Sequence, residues 1–318
     1  MKNLKPLLFL IIFCFVAVSC KKWSVSEHGS LRTVINEDGR TIAYDTSSGV
    51  KLLTVKSLAF KDLNKNGELD DYEDWRLGSD ERAADLASKM TIEQIAGLML
   101  YSAHQAIPSG STRFGASTYN GKPYADSGAK PYDLSDQQVK FLTDDNLRHV
   151  LVTTVESPET AAIWNNKVQA LCEGLGLGIP SNNSSDPRHR ATSDVEYNIG
   201  SAGQLSMWPN TLGMAATFDP EVVKEFGKIA AKEYRALGIT TALSPQIDIA
   251  TEPRWMRVSG TFGESPQLSD GIQGIREGSR CDPGQLRGSG SGNSRYSDRR
   301  RRTNRIAADA DAGRYENS

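Results

Sequence analysis

The sequence predicts an α/β protein with a parallel sheet, because β-branched apolar runs alternate with amphipathic helical segments along its middle. His149–Val155 is one such run. Ser157 followed by Pro158 is typical of a helix start, and a second helix is predicted from Asp219 to its end at Gly238. Parallel strands need helical crossovers, so this alternation favours a parallel sheet over an antiparallel one.

Other elements follow from local patterns. Residues 91–94 form a capping box that opens a helix, and 97–101 are predicted as the first strand. Residues 102–131 are rich in Gly, Ser and Tyr and predict a long loop of the kind that lines active sites. Strands are also predicted at 178–182 and 239–249.

Three aromatic residues of the predicted loop have two interpretations. Phe114, Tyr119 and Tyr124 are candidates for stacking on sugar rings. The alternative, which we favour, is that they are ordinary surface aromatics.

The first residues predict a bacterial lipoprotein signal peptide over 1–19. Lysines precede an apolar run at 7–18, and Ala17-Val-Ser-Cys20 is a small-residue cleavage site that ends in cysteine. A transmembrane anchor is the alternative, but the run is shorter than the roughly 18 to 20 residues that span a bilayer. We therefore expect lipidation at Cys20 and an exported, periplasmic or cell-surface protein that acyl chains tether to the membrane.

Composition excludes little. With 38% hydrophobic residues and a formal net charge of -2, the chain has the composition of an ordinary globular protein with no general affinity for nucleic acid. The arginine run at 299–302 raises a nucleic-acid hypothesis, which export disfavours. Cys14 leaves with the signal peptide, and Cys172 and Cys281 are too few for a disulfide framework. Cys172 lies on a helical apolar pattern and is expected in the core.

An acidic segment at 62–73 matches the calcium loop of the EF-hand. Oxygen-bearing side chains, a glycine at position six and a glutamate at position twelve recur at the spacing that Ca²⁺ requires. The predicted metal residues are Asp62, Asn64, Asn66, Glu68, Asp70 and Glu73. The alternative is a solvated acidic turn, since the strand-like residues 58–61 are too few for an entering helix. A structural calcium ion is thus a hypothesis of the sequence.

Two segments, 178–189 and 252–266, resemble the sugar-binding loops of glycoside hydrolase family 3. Residues 208–210 and 213–219 between them also match that family. The resemblance implies a β-glucosidase-like enzyme whose first domain is a (β/α)8 TIM-type barrel. Residues 79–268 are then part of this barrel domain, preceded by an N-terminal extension over 20–78. Since a barrel takes about 250 residues, we expect an incomplete barrel of marginal stability that tends to aggregate.

The resemblance also implies site residues. Asp186 is expected to accept hydrogen bonds from sugar hydroxyls, and Arg257 to lie beside it, because a carboxylate accepts several bonds and a guanidinium donates in a fixed fork. His189, Arg254 and Glu264 are expected to support the loops. This chain departs from the family pattern at Arg190 and Met256, where glycines are usual. Taken singly, each residue also fits an ordinary turn or a surface ion pair.

Catalytic residues are not assigned. A retaining glycosidase needs a carboxylate nucleophile and a second carboxyl as acid/base. The family's Lys-His pair does not occur in this sequence, and its Asp-Trp nucleophile does not occur beyond Pro266; Asp74-Trp75 comes too early. We therefore expect a fragment of a β-glycosidase. The enzyme would act on oligosaccharides or β-glucosides with no cofactor required for catalysis, and the fragment itself would be inactive.

The final residues, 269–318, change in texture and show neither strand nor helix period. A disordered tail and codons translated out of frame are both open, and we favour the second because the family pattern stops inside a helix. Two other function classes are weighed. A non-catalytic, calcium-dependent glycan-binding lipoprotein is the runner-up, whereas an aldolase or phosphosugar enzyme lacks its lysine and glycine-loop signals.

Overall fold

The structure is a computed structural model that describes residues 21–109, 117–186, 188–189, 205–244, 246 and 248–269. Several predictions fall outside these residues: the signal peptide, the lipidation site Cys20, the residues Phe114, Arg190 and Cys281, and all but the first residue of the predicted tail. In the part of the chain that is described, no helix is both long and apolar enough to cross a bilayer.

The N-terminal extension contains two small antiparallel sheets. The first has the order β1-β2-β3, and the second pairs β4 with β5. The side chain of Asn36 joins them, because it accepts from the Ala59 amide at 2.7 Å and donates to the Ala59 carbonyl at 3.3 Å. The strands are β1 (Trp23–His28), β2 (Leu31–Asn36), β3 (Ile42–Asp45), β4 (Lys51–Val55) and β5 (Leu58–Asp62).

The remaining elements alternate as the sequence predicts and form a four-stranded parallel sheet of order β6-β7-β8-β9. The described residues form this open α/β sheet and do not close a barrel. The elements are α1 (Ser79–Lys89), α2 (Ile92–Met99), β6 (Gln105–Ile107), α3 (Tyr124–Ser127), α4 (Asp136–Thr143), β7 (His149–Val155), α5 (Pro158–Gly174), β8 (Asn182–Ser185), α6 (Thr211–Ala215), α7 (Pro220–Ala236), β9 (Thr241–Ala242) and α8 (Pro266–Ser269).

Side-chain caps fix where the helices begin. Thr91 closes the predicted capping box with Gln94 at the start of α2. Ser157 accepts from the Thr160 amide at 3.1 Å before α5, which has proline in its first turn. Helix α7 is followed by Gly238 in a left-handed conformation (φ 80°), where a Cβ atom would lie 2.1 Å from the Asn165 side chain. Only glycine fits there.

The core lies between β7 and α5. Val150, Val152 and Val155 of the strand belong to the same buried cluster as Trp164 and Val168 of the helix. The intervening strand residues Leu151 and Thr153 are 6% and 1% exposed, so both faces of β7 are covered, as in parallel sheets generally.

Cys172 on α5 is fully buried, as predicted. Burial raises the pKa of its thiol to about 11. The thiol is therefore protonated at neutral pH, and its role in the fold is that of a small apolar core residue.

Three predicted strands are wrong in place or length. Residues 97–99 belong to α2, because the capped helix continues through Gly97, where a Cβ atom would lie 2.5 Å from the Asn146 carbonyl oxygen. Only Tyr101 makes a parallel bridge, with His149. The prediction at 178–182 is displaced to β8, since Gly178 has a positive φ of 64° and Pro180 lacks an amide proton. Within the described part of 239–249, the predicted strand shortens to the two residues of β9.

The predicted loop at 102–131 is only partly irregular, because β6 and α3 lie within it. Tyr119 is 3% exposed, and its hydroxyl accepts from the Ser109 amide at 2.7 Å. Neither the surface nor the sugar-stacking interpretation fits Tyr119. It is a structural residue of this loop.

Leu142 tests the core. It is 1% exposed, whereas Leu100 is 48% exposed. Leu142→Ala is expected to lower the free energy of unfolding by about 2 to 5 kcal/mol through lost burial and a cavity. Leu100→Ala is expected to change it by less than about 0.5 kcal/mol. Urea denaturation followed by tryptophan fluorescence measures both, and equal losses would contradict this placement of the core.

Candidate functional site

Polar side chains gather where the parallel strands end. Asp186 directly follows β8, and its side chain is 43% exposed. Arg188 pairs with its Oδ2 atom at 3.1 Å and donates from Nε to the Ser185 hydroxyl at 3.2 Å. Arg188 itself is 8% exposed. A buried guanidinium therefore orients the Asp186 carboxylate while that carboxylate keeps a face toward solvent.

Two tyrosine hydroxyls form hydrogen bonds at Asp186 or close to it. The Tyr234 hydroxyl, on α7, donates to the Asp186 carbonyl oxygen. The Tyr101 hydroxyl forms a hydrogen bond with the Ser184 hydroxyl one strand away. Burial raises the pKa of Tyr101; the hydrogen bond with Ser184 opposes that shift and the negative charge of Asp186 adds to it. Tyr101 is 45% exposed, so a carboxylate and a phenol face solvent in the same area.

His189 is buried beneath this edge. Its Nε2 atom lies 2.8 Å from Oε2 of Glu233, an electrostatic contact rather than an aligned hydrogen bond. Its ring packs on Tyr234, with centroids 4.8 Å apart. Glu233 also accepts from the Ser206 hydroxyl at 2.9 Å. Burial lowers the pKa of His189, and the charge of Glu233 opposes that shift. The predicted role of His189 as a support of the sugar-binding loop stays a prediction.

Arg257 is placed on a different set of contacts. Its guanidinium donates to Oε1 of Gln246 at 3.0 Å, and the side chain is exposed. Among the described residues the ion pair of Asp186 is with Arg188, and none forms between Asp186 and Arg257. The predicted pairing of Asp186 with Arg257 around one sugar stays a prediction.

The other predicted supports lie at the surface. The Arg254 guanidinium donates two hydrogen bonds, of 2.9 and 2.8 Å, to the Glu252 carboxylate, and these bonds lower the pKa of Glu252 to about 2. Glu264 is exposed, with no hydrogen bond to any residue within the described ranges. The loop of these residues is anchored instead by Thr261 and Phe262, which are 0% and 1% exposed.

Sequence reasoning missed three residues that shape the site. Arg188 stands inside the 178–189 motif, and a cation two residues after a solvent-facing aspartate was the available signal. Glu233 and Tyr234 lie on α7, where the apolar pattern marks Tyr234 as a core residue without indicating that its hydroxyl reaches Asp186. No pattern in one sequence joins positions 48 residues apart.

The acidic loop at 62–73 is the candidate metal region. Its carboxylates are not arranged as a group of three that could hold a metal ion, and the same is true of His, Cys, Asp and Glu elsewhere in the described residues. Asn64 and Asn66 both donate from their side-chain amides to Oδ2 of Asp70, at 2.7 and 2.9 Å. The Glu73 carboxylate accepts from the Leu63 amide at 2.6 Å. The loop is therefore closed by hydrogen bonds among its own residues.

Comparison with known proteins identifies relatives. Residues 129–274 match the model of the glycosyl hydrolase family 3 N terminal domain. The chain is 45% identical over 223 residues to a periplasmic beta-glucosidase/beta-xylosidase of Dickeya chrysanthemi, covering 70% of this chain and 31% of that protein. It is 37% identical over 202 residues to a probable beta-glucosidase C of Aspergillus oryzae, covering 62% of this chain and 28% of that protein.

Solved structures give a looser match. The chain aligns with a β-glucosidase from Erythrobacter marinus at 26% identity and a TM-score of 0.47, over 66% of this chain and 24% of that one. The chain thus spans about a third of the length of the curated relatives it matches.

The His189 pocket predicts a pH dependence of stability. Because burial lowers the imidazole pKa below its ordinary 6.5, the unfolded chain binds the proton more readily. The contribution of His189 to the free energy of unfolding is fully present above pH 6.5. It decreases as the pH falls below 6.5, by at most about 1.4 kcal/mol per pH unit. Thermal melts between pH 7.5 and 5 measure this loss.

His189→Gln is expected to remove this part of the pH dependence, whereas His28→Gln, at an exposed position, is expected to leave it unchanged. An identical decline in wild type and His189→Gln would contradict the assignment.

Proposed function

Because this chain belongs to glycoside hydrolase family 3 through its match to the family's N-terminal domain, we propose that its protein hydrolyses terminal β-linked sugars. The relatives named above are β-glucosidases or a β-glucosidase/β-xylosidase, which supports a β-glucoside or β-xyloside as substrate. The runner-up hypothesis of a non-catalytic glycan-binding lipoprotein gains no support from these names.

The single observation behind the sugar-binding part of this proposal is the Asp186 carboxylate. It lies at the carboxyl end of a parallel strand, where ligands of α/β folds bind, and it is oriented by a buried arginine. A carboxylate has about four acceptor positions, so it accepts two neighbouring sugar hydroxyls while the bond from Arg188 is kept. We assign it the anchoring of the terminal sugar ring.

Arg257 is the second proposed sugar contact. Its guanidinium is exposed, and its hydrogen-bond partner among the described residues is the neutral Gln246, so a sugar hydroxyl can replace that bond at small cost. The Tyr101 hydroxyl adds a donor and acceptor near the Asp186 carboxylate. His189, Arg254 and Glu264 have no sugar contact in this proposal.

Hydrolysis of the glycosidic bond requires two catalytic carboxyl groups, which we do not assign to residues of this chain. Retention needs a nucleophilic carboxylate about 5 to 5.5 Å from a carboxylic acid, on either side of the scissile bond. The described residues offer Asp186, whose carboxylate is committed to Arg188. We therefore propose that this segment contributes recognition of the sugar, and that the 318 residues alone bind without hydrolysing.

The cellular location belongs to the same proposal. The relative from Dickeya chrysanthemi is periplasmic by name, and the N-terminal residues match an export signal. We propose export to the periplasm or cell surface with an acyl anchor on Cys20.

Sugar binding is tested with Asp186→Asn. The amide keeps the shape but loses the charge, so binding of methyl β-D-glucopyranoside is expected to weaken about tenfold or more. Asp126→Asn, at an exposed position of α3, is the matched control and is expected to bind as wild type does. Saturation-transfer NMR measures binding, and release of p-nitrophenol from its β-D-glucoside measures hydrolysis.

Equal binding by wild type and Asp186→Asn would refute the sugar-anchoring role. Measurable hydrolysis by the chain as given, abolished by heat, would show that its catalytic carboxylates are present and that our assignment of recognition alone is wrong.

The anchor is tested by Cys20→Ala. Loss of the acylated thiol is expected to move the protein from the detergent phase to the aqueous phase of a Triton X-114 partition. Cys14→Ala, within the signal peptide, is expected to partition as wild type does. Retention of Cys20→Ala in the detergent phase would contradict lipidation at this residue.

A further inference from the structure

The acidic loop at 62–73 has one feature that its own hydrogen bonds do not explain. Asp62 is 3% exposed. Its Oδ2 atom accepts from the Gly67 amide across the loop at 3.1 Å, so the carboxylate is directed into the loop. Its Oδ1 atom is buried and has no hydrogen-bond partner among the described residues. A buried carboxylate oxygen without a partner is costly, and such atoms are rare in folded proteins.

Three donor groups, one of them positively charged, surround Asp70 in another part of the loop. The side-chain amides of Asn64 and Asn66 each donate a hydrogen bond to Oδ2 of Asp70. Lys89 places its ammonium 3.1 Å from Oδ1 of the same carboxylate. Three donors therefore surround the Asp70 carboxylate, whereas among the described residues Asp62 accepts a hydrogen bond at Oδ2, from Gly67, and none at Oδ1. A cation inside the loop would serve both carboxylates.

We propose that the loop 62–73 binds a calcium ion, with Oδ1 of Asp62 as its central ligand. The remaining ligands are oxygens of Asn64, Asn66, Asp70 and Glu73 together with the backbone carbonyl of Glu68. Hard oxygen ligands of mixed charge are those Ca²⁺ prefers, and their number matches its usual six to eight. This proposal does not depend on the proposed glycosidase function.

Binding requires a local rearrangement. In this structure Glu73 accepts from the amides of Leu63 at 2.6 Å and Asp70 at 3.2 Å, so its two oxygens tie together the ends of the loop. Calcium binding turns part of this carboxylate inward, and the two asparagines present their oxygens in place of their amide groups. Lys89 leaves Asp70 and keeps its second partner, Asp85. Each change exchanges one polar contact for another.

The loop is placed where an ion would affect the whole fold. Lys61, just before it, pairs with Glu173 of α5 at 2.6 Å. Lys65, within it, donates to the Gly174 carbonyl at 2.9 Å. Ordering the loop therefore orders the contact between the N-terminal extension and the end of α5. We expect calcium to raise the thermal unfolding temperature of the full chain.

The test is calorimetric titration of CaCl₂ into the chelator-treated 318-residue chain, with far-UV circular dichroism to confirm folding. Saturable binding of one ion is expected, with a Kd between about 10⁻⁶ and 10⁻³ M. Glu73→Gln and Asp70→Asn are each expected to weaken it about tenfold or more, since each removes a charged ligand. Asp70→Asn is included as a second variant because this residue lies at the edge of the loop, where a substitution is not expected to prevent folding. Lys89→Met is expected to tighten binding about threefold by removing a competing cation.

Glu68→Gln is the matched control, because that residue contributes a backbone oxygen, and its Kd is expected to stay within about twofold of wild type. Three outcomes would overturn the proposal: no heat with millimolar Ca²⁺ in a folded chain, equal weakening by Glu68→Gln and Asp70→Asn, or equal affinity for Mg²⁺. The first would leave Asp62 in a metal-free turn, the second would indicate diffuse charge attraction, and the third a site without the geometry of calcium.

Discussion

The burial of strand β7 on both faces is the constraint on which the rest of the structure depends. Val150 and Val152 on one face belong to the buried cluster that includes residues of α5, while Leu151 and Thr153 are covered on the other. A strand in this position pairs on both edges, here with β6 and β8 in parallel, and each neighbour needs a helical crossover to reach it. The order of elements from 92 to 242 follows from satisfying that one strand.

The same constraint produces the candidate site. Parallel strands bring their carboxyl ends to one edge, so Asp186 after β8 emerges beside solvent while Arg188 and His189 turn back into the protein. Helix α7 fixes this turn through two neighbouring residues, since Tyr234 holds the Asp186 carbonyl and Glu233 lies against His189. The proposed sugar-binding residue thus belongs to a segment that contacts α7 at two points, the Asp186 carbonyl and the His189 ring.

Much of the fold could be predicted because its signals are local. The start of α5 and the end of α7 depend on Ser157, Pro158 and Gly238, which act on their immediate neighbours. The strand predicted at 97–101 failed because an apolar run has no period that separates strand from helix, and the buried contact of Gly97 with residue 146 decided it. The site divides in the same way. Asp186 could be proposed from its motif, whereas its contact with Tyr234 could not, since that contact exists only once the sheet has formed.

Glu173 shows how the N-terminal extension contacts the rest of the protein. An acid in the last turn of α5 faces the negative end of the helix dipole, an unfavourable position by itself. Its oxygens bind the Lys61 ammonium and the Asp45 amide, both from the extension, and Gly174 beside it lies close enough to Ser48 that a Cβ atom would be 3.1 Å from the Ser48 carbonyl. The extension thus supplies the positive charge that this helix terminus lacks. Cutting the protein at residue 78 would separate Lys61 from Glu173, so the two parts are not autonomous folding units.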